Sequence, residues 1–191
     1  KGGEYWAAGD WGMAIGEYTR AIELNPDFTF AYFERGYSYY QLGQDQNAIN
    51  DYTIAIQLDP NYDMAYNNRG WSYYQLGQGQ NAINDYTIAI QLDPDHQFAY
   101  SNRGIAYLAL DQYQLSIPDL TKAIQQEPSA VLHTYRGNAY YGLGQGQNAI
   151  NDYTIAIQLE PSAVRHDYRG NAYYGLDQYQ NAINDYTMAI Q

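Results

Sequence analysis

The sequence predicts an all-α protein, a solenoid of about six tandem helix-turn-helix repeats. One phrase, QNAINDYTIAIQLDP, occupies residues 46–60 and again 80–94, and it returns as QNAINDYTIAIQLEP at 147–161 and in part as QNAINDYTMAIQ at 180–191. Glycines preceded by arginine recur at intervals of 34, 34, 33 and 33 residues, at Gly36, Gly70, Gly104, Gly137 and Gly170. Prolines follow the same period at Pro26, Pro60, Pro94, Pro128 and Pro161. A fixed period of this length indicates one repeated supersecondary unit.

Each repeat is predicted to be a helical hairpin. In residues 63–94 the apolar and small residues form two stripes with the spacing of amphipathic helices. The first stripe is Ala65, Tyr66, Gly70, Tyr73, Tyr74 and Leu76, and the second is Ala82, Ile83, Tyr86, Ala89, Ile90 and Leu92. We predict a single domain over residues 1–191, with repeats at about 1–28, 29–62, 63–96, 97–129, 130–162 and 163–191.

The turns and helix ends have their own signals. Gly77 stands where the first helix needs a residue of positive φ to stop. The equivalent residues are Gly9, Gly43 and Gly144, with Asp111 and Asp177 as tolerable replacements. Pro94 excludes the helical region for Asp93 and thereby ends the second helix. Gly70, Ala82 and Ala89 are small residues, and we predict that the helix axes approach closely at these positions.

The pattern of one repeat resembles the tetratricopeptide repeat. An aromatic residue precedes the glycine by four positions, Gly-x-x-Tyr follows, and then Ala, Tyr, Ala and Pro come at the intervals of that family. The match extends over essentially all 191 residues. The resemblance implies a right-handed superhelix whose first helices line a concave groove, and a non-enzymatic protein that holds an extended peptide or protein segment in that groove.

One departure from the family pattern is systematic, because arginine replaces the usual leucine before the glycine. These residues are Arg35, Arg69, Arg103, Arg136 and Arg169, with Lys1 in the corresponding place of the first repeat. Sixteen residues after each comes an acid: Glu17, Asp51, Asp85, Asp119, Asp152 and Asp185. We predict a ladder of ion pairs between first and second helices, since a half-buried arginine without its acid would be costly. The alternative is a row of arginines that clamps a carboxylate or phosphate ligand.

The second helices are near-copies, whereas the first helices vary, so diversity is concentrated on the groove side. The predicted partner-binding residues are Phe33, Tyr37, Tyr40, Asn67, Asn68, Trp71, Tyr74, Asn102, Asn138, Tyr141, Asn171 and Tyr174. Aromatic rings offer contact area at low entropic cost, and asparagine serves donors and acceptors of a ligand. The competing interpretation is that these rings pack against neighbouring helices. Acids but no bases lie among the groove positions (Glu34 and Asp167), which favours a neutral to mildly basic partner.

Composition excludes several functions. The net charge of −12 leaves no basic surface for nucleic acid, and no apolar run is long enough for a membrane span. Without cysteine there is no disulfide or thiolate chemistry, and no catalytic, phosphate-binding or metal motif is present. His133 and His166 occupy the slot of Tyr32, Tyr66 and Tyr100, so packing is favoured over metal ligation. We predict no enzyme activity and no cofactor.

Two further features lead to expectations about packing. The repeated hydroxyls are predicted to form an exposed, solvated row at Thr19, Thr53, Thr87, Thr121, Thr154 and Thr187. Pro118 lies near the boundary of the first turn of a second helix, where a proline deeper in the helix would produce a bend.

Two classes of function follow from these patterns. The first is an interaction scaffold that binds a peptide or protein partner in the concave groove. The second is a structural subunit that stacks head to tail through uncapped ends into a filament or extracellular fibre, because neither end carries a polar capping helix. The composition, poor in lysine and free of cysteine, leans towards an exported or cell-surface protein.

Overall fold

The computed structural model describes residues 9–190, and in that range the regular structure is entirely helical. Contacts group the chain into two compact units, one up to Ala99 and the other from Tyr100 onwards. The helices of unit 1 are α1 (Trp11–Leu24), α2 (Thr29–Gln41), α3 (Asp45–Leu58), α4 (Asp63–Gln75) and α5 (Gly79–Leu92). Those of unit 2 are α6 (Ala99–Ala109, whose first residue counts with unit 1), α7 (Tyr113–Gln126), α8 (Ala130–Gly142), α9 (Gly146–Leu159), α10 (Ala163–Tyr174) and α11 (Tyr179–Ile190).

Consecutive helices pair as helical hairpins, as the two stripes predict. In unit 1 the pairs are α2 with α3 and α4 with α5, and in unit 2 they include α8 with α9 and α10 with α11. The even-numbered helices are the first helices of their hairpins and the odd-numbered ones are the second helices. Alanine and tyrosine of the second helices are fully buried, as at Ala82, Tyr86 and Ala89. The solenoid class of fold, tandem helix-turn-helix repeats, is therefore confirmed.

The turn inside each hairpin has the predicted left-handed residue. Gly43 and Gly77 have φ of +69° and +72°, and Asp111 and Asp177, which replace glycine, have φ of +56° and +58°. The chain then reverses, with the Gln44 amide donating to the Tyr39 carbonyl oxygen at 2.9 Å. This conformation ends each first helix and starts the second one in a fixed direction.

Helix axes approach closely at the repeat glycines. A Cβ atom at Gly70 would lie 2.9 Å from Cε1 of Tyr86 and 3.2 Å from the Ala82 carbonyl oxygen. At Gly137 the corresponding Cβ would lie 2.6 Å from Cε1 of Tyr153. Gly36, Gly70, Gly137 and Gly170 each therefore form the surface on which a tyrosine of the second helix packs, whereas Gly104 meets Leu120.

The predicted Arg–Asp ladder is present wherever the structure describes both partners. Arg69 donates Nε–H and Nη2–H to the two carboxylate oxygens of Asp85, each at 2.8 Å. Such forked bonding satisfies both groups at once, and Asp85 is only 4% exposed. The same pairing occurs at Arg35–Asp51, Arg103–Asp119, Arg136–Asp152 and Arg169–Asp185. The predicted pair of Lys1 with Glu17 lies outside the described residues.

The prediction of an exposed threonine row is wrong. Thr53 is half-buried, and its hydroxyl oxygen accepts Nη1–H of Arg69 from the next repeat at 3.1 Å. Thr19, Thr121 and Thr154 receive the same bond from Arg35, Arg136 and Arg169 at 3.0–3.1 Å. The threonines therefore link each ion pair to the preceding hairpin, and of the row only Thr187 is exposed.

The two histidines at the tyrosine position form hydrogen bonds to the ladder in addition to packing. Nδ1 of His133 lies 2.8 Å from Oδ1 of Asp152, and Nδ1 of His166 lies 2.8 Å from Oδ1 of Asp185. Each histidine thus joins an ion pair of the ladder as a third member. In the earlier repeats the slot holds a tyrosine whose ring faces the guanidinium instead, at 5.6 Å for Tyr32 with Arg35 and 5.5 Å for Tyr66 with Arg69.

Helix α7 continues through Pro118 from Tyr113 to Gln126. Pro118 removes one backbone donor. Ser116, which occupies the position that is alanine in the other repeats, is fully buried and donates its hydroxyl to the Gly104 carbonyl oxygen at 2.8 Å. Among residues 9–190, none of the helices combines the length and the apolar character needed to cross a lipid bilayer.

Candidate binding surface

The variable residues lie on the first helices, which are neighbours within each unit. In unit 1, α2 contacts α4, and in unit 2, α8 contacts α10. We use the term first-helix face for the side of these helices that carries the residue after each repeat glycine. That residue is Tyr37, Trp71, Asn138 or Asn171. All four are half-buried, so their side chains are partly open to a ligand.

The first-helix face of unit 1 carries a continuous aromatic strip, defined by Trp11, Tyr37, Tyr40, Trp71 and Tyr74. Trp11 meets Tyr37 edge to face at 5.9 Å between ring centroids, and Tyr37 lies 6.1 Å from Tyr40. Nε1–H of Trp71 donates to the Tyr40 hydroxyl at 3.0 Å, and the Trp71 and Tyr74 rings are 5.6 Å apart. The contacts join α1, α2 and α4 into one surface whose rings hold one another in place.

Tyrosines of the second helices lie beneath this strip. The Tyr86 side chain is fully buried, and its hydroxyl has no hydrogen-bond partner among the described residues. Burial, together with the nearby Tyr74, Asp85 and Tyr40, raises the pKa of Tyr86 far above its ordinary range, so the group is a neutral donor. A buried donor of this kind is unsatisfied until a ligand or water reaches it.

Two of the predicted binding residues do not reach the surface. Phe33 is 5% exposed and packs against the rings of Tyr52 and Tyr62 at centroid distances of 5.8 and 4.8 Å. Asn67 is 6% exposed and donates Nδ2–H to the Asn68 side-chain oxygen at 3.2 Å. The structure therefore removes Phe33 and Asn67 from the candidate surface, because both positions face the neighbouring helices, whereas Asn68 is half-buried.

The first-helix face of unit 2 is polar where that of unit 1 is aromatic. Asn138 accepts a hydrogen bond from the Tyr153 hydroxyl and Asn171 one from the Tyr186 hydroxyl, both at 2.8 Å. Two tyrosines are open here, with Tyr141 48% and Tyr174 61% exposed. Asn102 on α6 is half-buried.

A cleft of about 240 Å³ opens on this face of unit 2 between α8 and α10. Its lining residues are Val131, Thr134, Tyr135, Asn138, Ser162, Val164, Arg165 and Tyr168. Arg165 brings a base to a face for which the sequence suggested none. Its guanidinium is held by Thr134 at 3.2 Å and by the backbone and side-chain oxygens of Glu160 at 2.6 and 2.8 Å.

Sequence reasoning missed an apolar row at the second residue of α2, α4, α8 and α10. In unit 1 these side chains are Phe30 and Met64, 50% and 49% exposed, and in unit 2 they are Val131 and Val164, 48% and 57% exposed. The signal was present, because the position is apolar in successive repeats. It was hidden because an apolar residue at the start of an amphipathic helix is ordinarily taken for core.

Nothing in the described part of the chain offers a metal centre. Residues 9–190 contain no group of three or more histidine and acidic side chains arranged to hold an ion. His133 and His166 instead bond to Asp152 and Asp185 of the ladder.

These features define a class of protein, a tandem helical-hairpin repeat protein with a variable first-helix face. Family models described as TPR repeat match residues 2–43 and 36–77, and two models described as Tetratricopeptide repeat match residues 64–96 and 99–129. The chain belongs to the tetratricopeptide repeat family. A comparison with functionally curated proteins gives no match.

Several solved structures share the fold. MamA from Desulfovibrio magneticus RS-1, from its residue 41 to its end, is 22% identical with a TM-score of 0.82, over 85% of this chain and 93% of that chain. YrrB, described as a TPR protein with an unusual peptide-binding site, is 19% identical with a TM-score of 0.82, over 91% and 90%. The C-terminal part of a TPR repeat-containing protein from Cytophaga hutchinsonii is 18% identical with a TM-score of 0.84, over 99% and 76%. At these identities the likeness establishes the fold alone.

Proposed function

We propose that this protein is a non-enzymatic scaffold that binds an extended peptide segment of a partner protein on its first-helix face. The observation that carries the proposal is the aromatic strip of unit 1. Five rings from three helices form a continuous surface with partly open faces. Aromatic residues of this kind dominate binding energy at protein interfaces because they bury large areas with few rotatable bonds.

The polar groups near the strip support a peptide rather than an apolar ligand. A peptide main chain offers a carbonyl oxygen and an amide hydrogen at every residue. The Tyr40 hydroxyl, which already accepts from Trp71, retains its own hydrogen for donation, and Asn68 lies one turn before Trp71 on α4. The peptide-binding site in the name of YrrB is consistent with this use of the fold.

The test is selection from a displayed library of random peptides, followed by affinity measurement on purified variants. Replacing both Trp71→Ala and Tyr74→Ala removes the end of the strip on α4, and we expect the selected peptides to lose at least tenfold in affinity. Tyr179→Ala, which removes an exposed ring of a second helix in unit 2, is the matched control. Equal affinity of the double variant and the control would contradict the proposal.

A second candidate function is self-association through α11, in the manner of head-to-tail stacking. Ile183 on α11 is 56% exposed, whereas its equivalents Ile49, Ile83 and Ile150 are 4–5% exposed. Met188 and Ile190 extend the same exposed apolar surface. Such a surface fits a further helical hairpin, and we propose that a second copy supplies it.

Measurement of mass against concentration tests this second candidate. A ladder of oligomers that Ile183→Glu abolishes would support self-association, with Ile155→Glu, on the exposed side of α9, as the control. A monomer at every concentration would reject it.

A further inference from the structure

One carboxylate on the first-helix face of unit 1 has no ion-pair partner among the described residues. Glu34 is half-buried on α2, between Phe30 one turn before it and Tyr37 one turn after it. The buried acids Asp51 and Asp85 of the same unit are each held by two hydrogen bonds from an arginine. Glu34 receives no such bond, and Arg35 beside it is committed to Asp51 and Thr19.

Tyrosines on the neighbouring elements lie within electrostatic range of Glu34. Tyr18 on α1, Tyr52 on α3 and Tyr62 in the turn before α4 are all near enough that its negative charge adds to the effect of burial in raising their pKa, in the case of Tyr62 to about 12. Burial also raises the pKa of Glu34 itself. The carboxylate therefore lies among rings, with much of its hydration removed.

The repeat architecture does not require an acid at this position. The equivalent residues in the following repeats are Asn68, Asn102, Tyr135 and Tyr168, and all of them are accommodated without a charge. An unpaired, partly desolvated carboxylate is unfavourable for folding. Its presence at one repeat only, next to the aromatic strip, points to a requirement of binding.

We infer that the surface around Glu34 takes a cationic side chain, lysine or arginine, from the bound peptide. A carboxylate among aromatic rings provides the two interactions that such a side chain makes best, an ion pair with the acid and contact of the cation with ring faces. The single carboxylate provides too few ligands for a metal ion. This inference rests on the proposed function and adds the chemical identity of one anchoring residue of the partner.

A small-molecule probe tests the site without any peptide. Nα-acetyl-lysine methylamide is titrated into the 191-residue protein, with Nα-acetyl-norleucine methylamide as the uncharged match, and the tyrosine and tryptophan signals are followed by NMR. We expect the lysine compound to shift signals of Tyr18, Tyr37 and Tyr62 at concentrations where the norleucine compound does not. Glu34→Gln should remove that difference, while Glu23→Gln, at an exposed position on α1, should preserve it. Identical titrations of the two compounds would overturn the inference.

The stability of the free protein gives a second readout. If Glu34 is kept for binding, Glu34→Gln should raise the thermal midpoint, since it removes a charge that burial disfavours. A lower midpoint would show that Glu34 serves the fold and would overturn the inference.

Peptide binding separates failure of the inference from failure of the proposed function. Selected peptides should contain lysine or arginine and should bind the Glu34→Gln variant about tenfold more weakly. Peptides that need Trp71 and Tyr74 but contain no base, or that bind the Glu34→Gln variant equally well, would reject the cation site and leave the scaffold function standing. Peptides unaffected by the aromatic double variant would reject the scaffold function itself.

Discussion

In unit 1 the residue after the repeat glycine is aromatic, Tyr37 or Trp71, whereas in the last two repeats of unit 2 it is asparagine, Asn138 or Asn171. The second helices hold tyrosine fifteen residues later in all four repeats. In unit 2 the asparagine accepts the hydrogen bond of that tyrosine, but in unit 1 the Tyr86 hydroxyl has no such partner. One position of the repeat therefore serves either internal hydrogen bonding or an aromatic binding surface, and the two units use it differently.

The last two repeats of unit 2 also differ from unit 1 at the position four residues before the glycine. Tyr32 and Tyr66 face the guanidinium of the ladder in unit 1, while His133 and His166 bond to the carboxylate in unit 2. The arginine and aspartate are the same in both units. The Arg–Asp ion pair is thus the same in both units, and the residue that accompanies it differs.

The largest expected effect comes from removing the aspartate of one ion pair in each unit, which tests whether the ladder stabilises both units equally. Asp85→Ala and Asp152→Ala each leave a half-buried arginine without its acid, and we expect each to lower the free energy of unfolding by about 3–5 kcal/mol. Chemical denaturation of the purified variants measures this loss. Asp27→Ala, at an exposed position before α2, is the control and should change little. Denaturation midpoints for Asp85→Ala and Asp152→Ala close to that of Asp27→Ala would show that the ladder does not stabilise the fold.

Much of this architecture could be predicted from the sequence, because repetition turns weak signals into strong ones. A single Arg sixteen residues before an Asp predicts nothing, but the recurrence of that pair predicts the ladder that Arg69 and Asp85 form. Gly77 and its replacement Asp111 likewise predict a left-handed turn only because both stand in the same slot. Periodic residues with one structural role are therefore predictable.

The surface was less predictable, since a helical stripe does not say which neighbour covers it. Phe33 and Tyr37 lie four residues apart on α2, yet Phe33 is buried against Tyr52 and Tyr62 while Tyr37 remains partly open. The prediction of an exposed threonine row was wrong for the same reason, because the arginine that bonds to Thr53 comes from the next hairpin. Contacts between hairpins depend on the step from one repeat to the next, and the sequence period does not specify that step.

A smaller effect should distinguish the packing of the two units. Gly70→Ala and Gly137→Ala force a Cβ against Tyr86 and Tyr153, and we expect a loss of about 1–3 kcal/mol for each. The Gly137 variant should lose more, since its Cβ would be closer to the ring and Tyr153 is held by Asn138. Thermal unfolding measures both. Gly16→Ala on α1 meets nothing within 4 Å and should be stabilising instead, as alanine is the better helix former. Stabilisation by Gly137→Ala would contradict the close approach.

The exchange of asparagine for an aromatic residue can be tested directly. Asn138→Ala leaves the Tyr153 hydroxyl without its acceptor, and we expect a loss of about 1 kcal/mol in chemical denaturation. Trp71→Asn installs the unit 2 residue in unit 1, where the new amide can accept from Tyr86. This variant should lose peptide affinity, measured by fluorescence anisotropy, without a comparable loss of stability. Retained affinity would show that the aromatic strip is not the binding surface.

The smallest effect concerns the third member of the ladder and its dependence on pH. Burial alone would raise the pKa of Asp185, but hydrogen bonds from Arg169 and His166 outweigh it, and the pKa lies below its ordinary value. A carboxylate with a depressed folded-state pKa stabilises the fold above the unfolded-state pKa, which is about 3.9 for aspartate, and that stability is lost as the pH falls through the folded-state value.

His166→Tyr replaces the donor with the residue that the earlier repeats use, and should therefore move the pKa of Asp185 upwards. The loss of hydrogen-exchange protection of α11 below the unfolded-state pKa should then be smaller in this variant, and it should end at a higher pH than in the unaltered protein. Protection of α5 gives an internal control, because its ladder acid, Asp85, has no histidine partner. An unchanged pH profile for α11 would mean that Arg169 alone sets the ionisation of Asp185, and that histidine and tyrosine are equivalent in this slot.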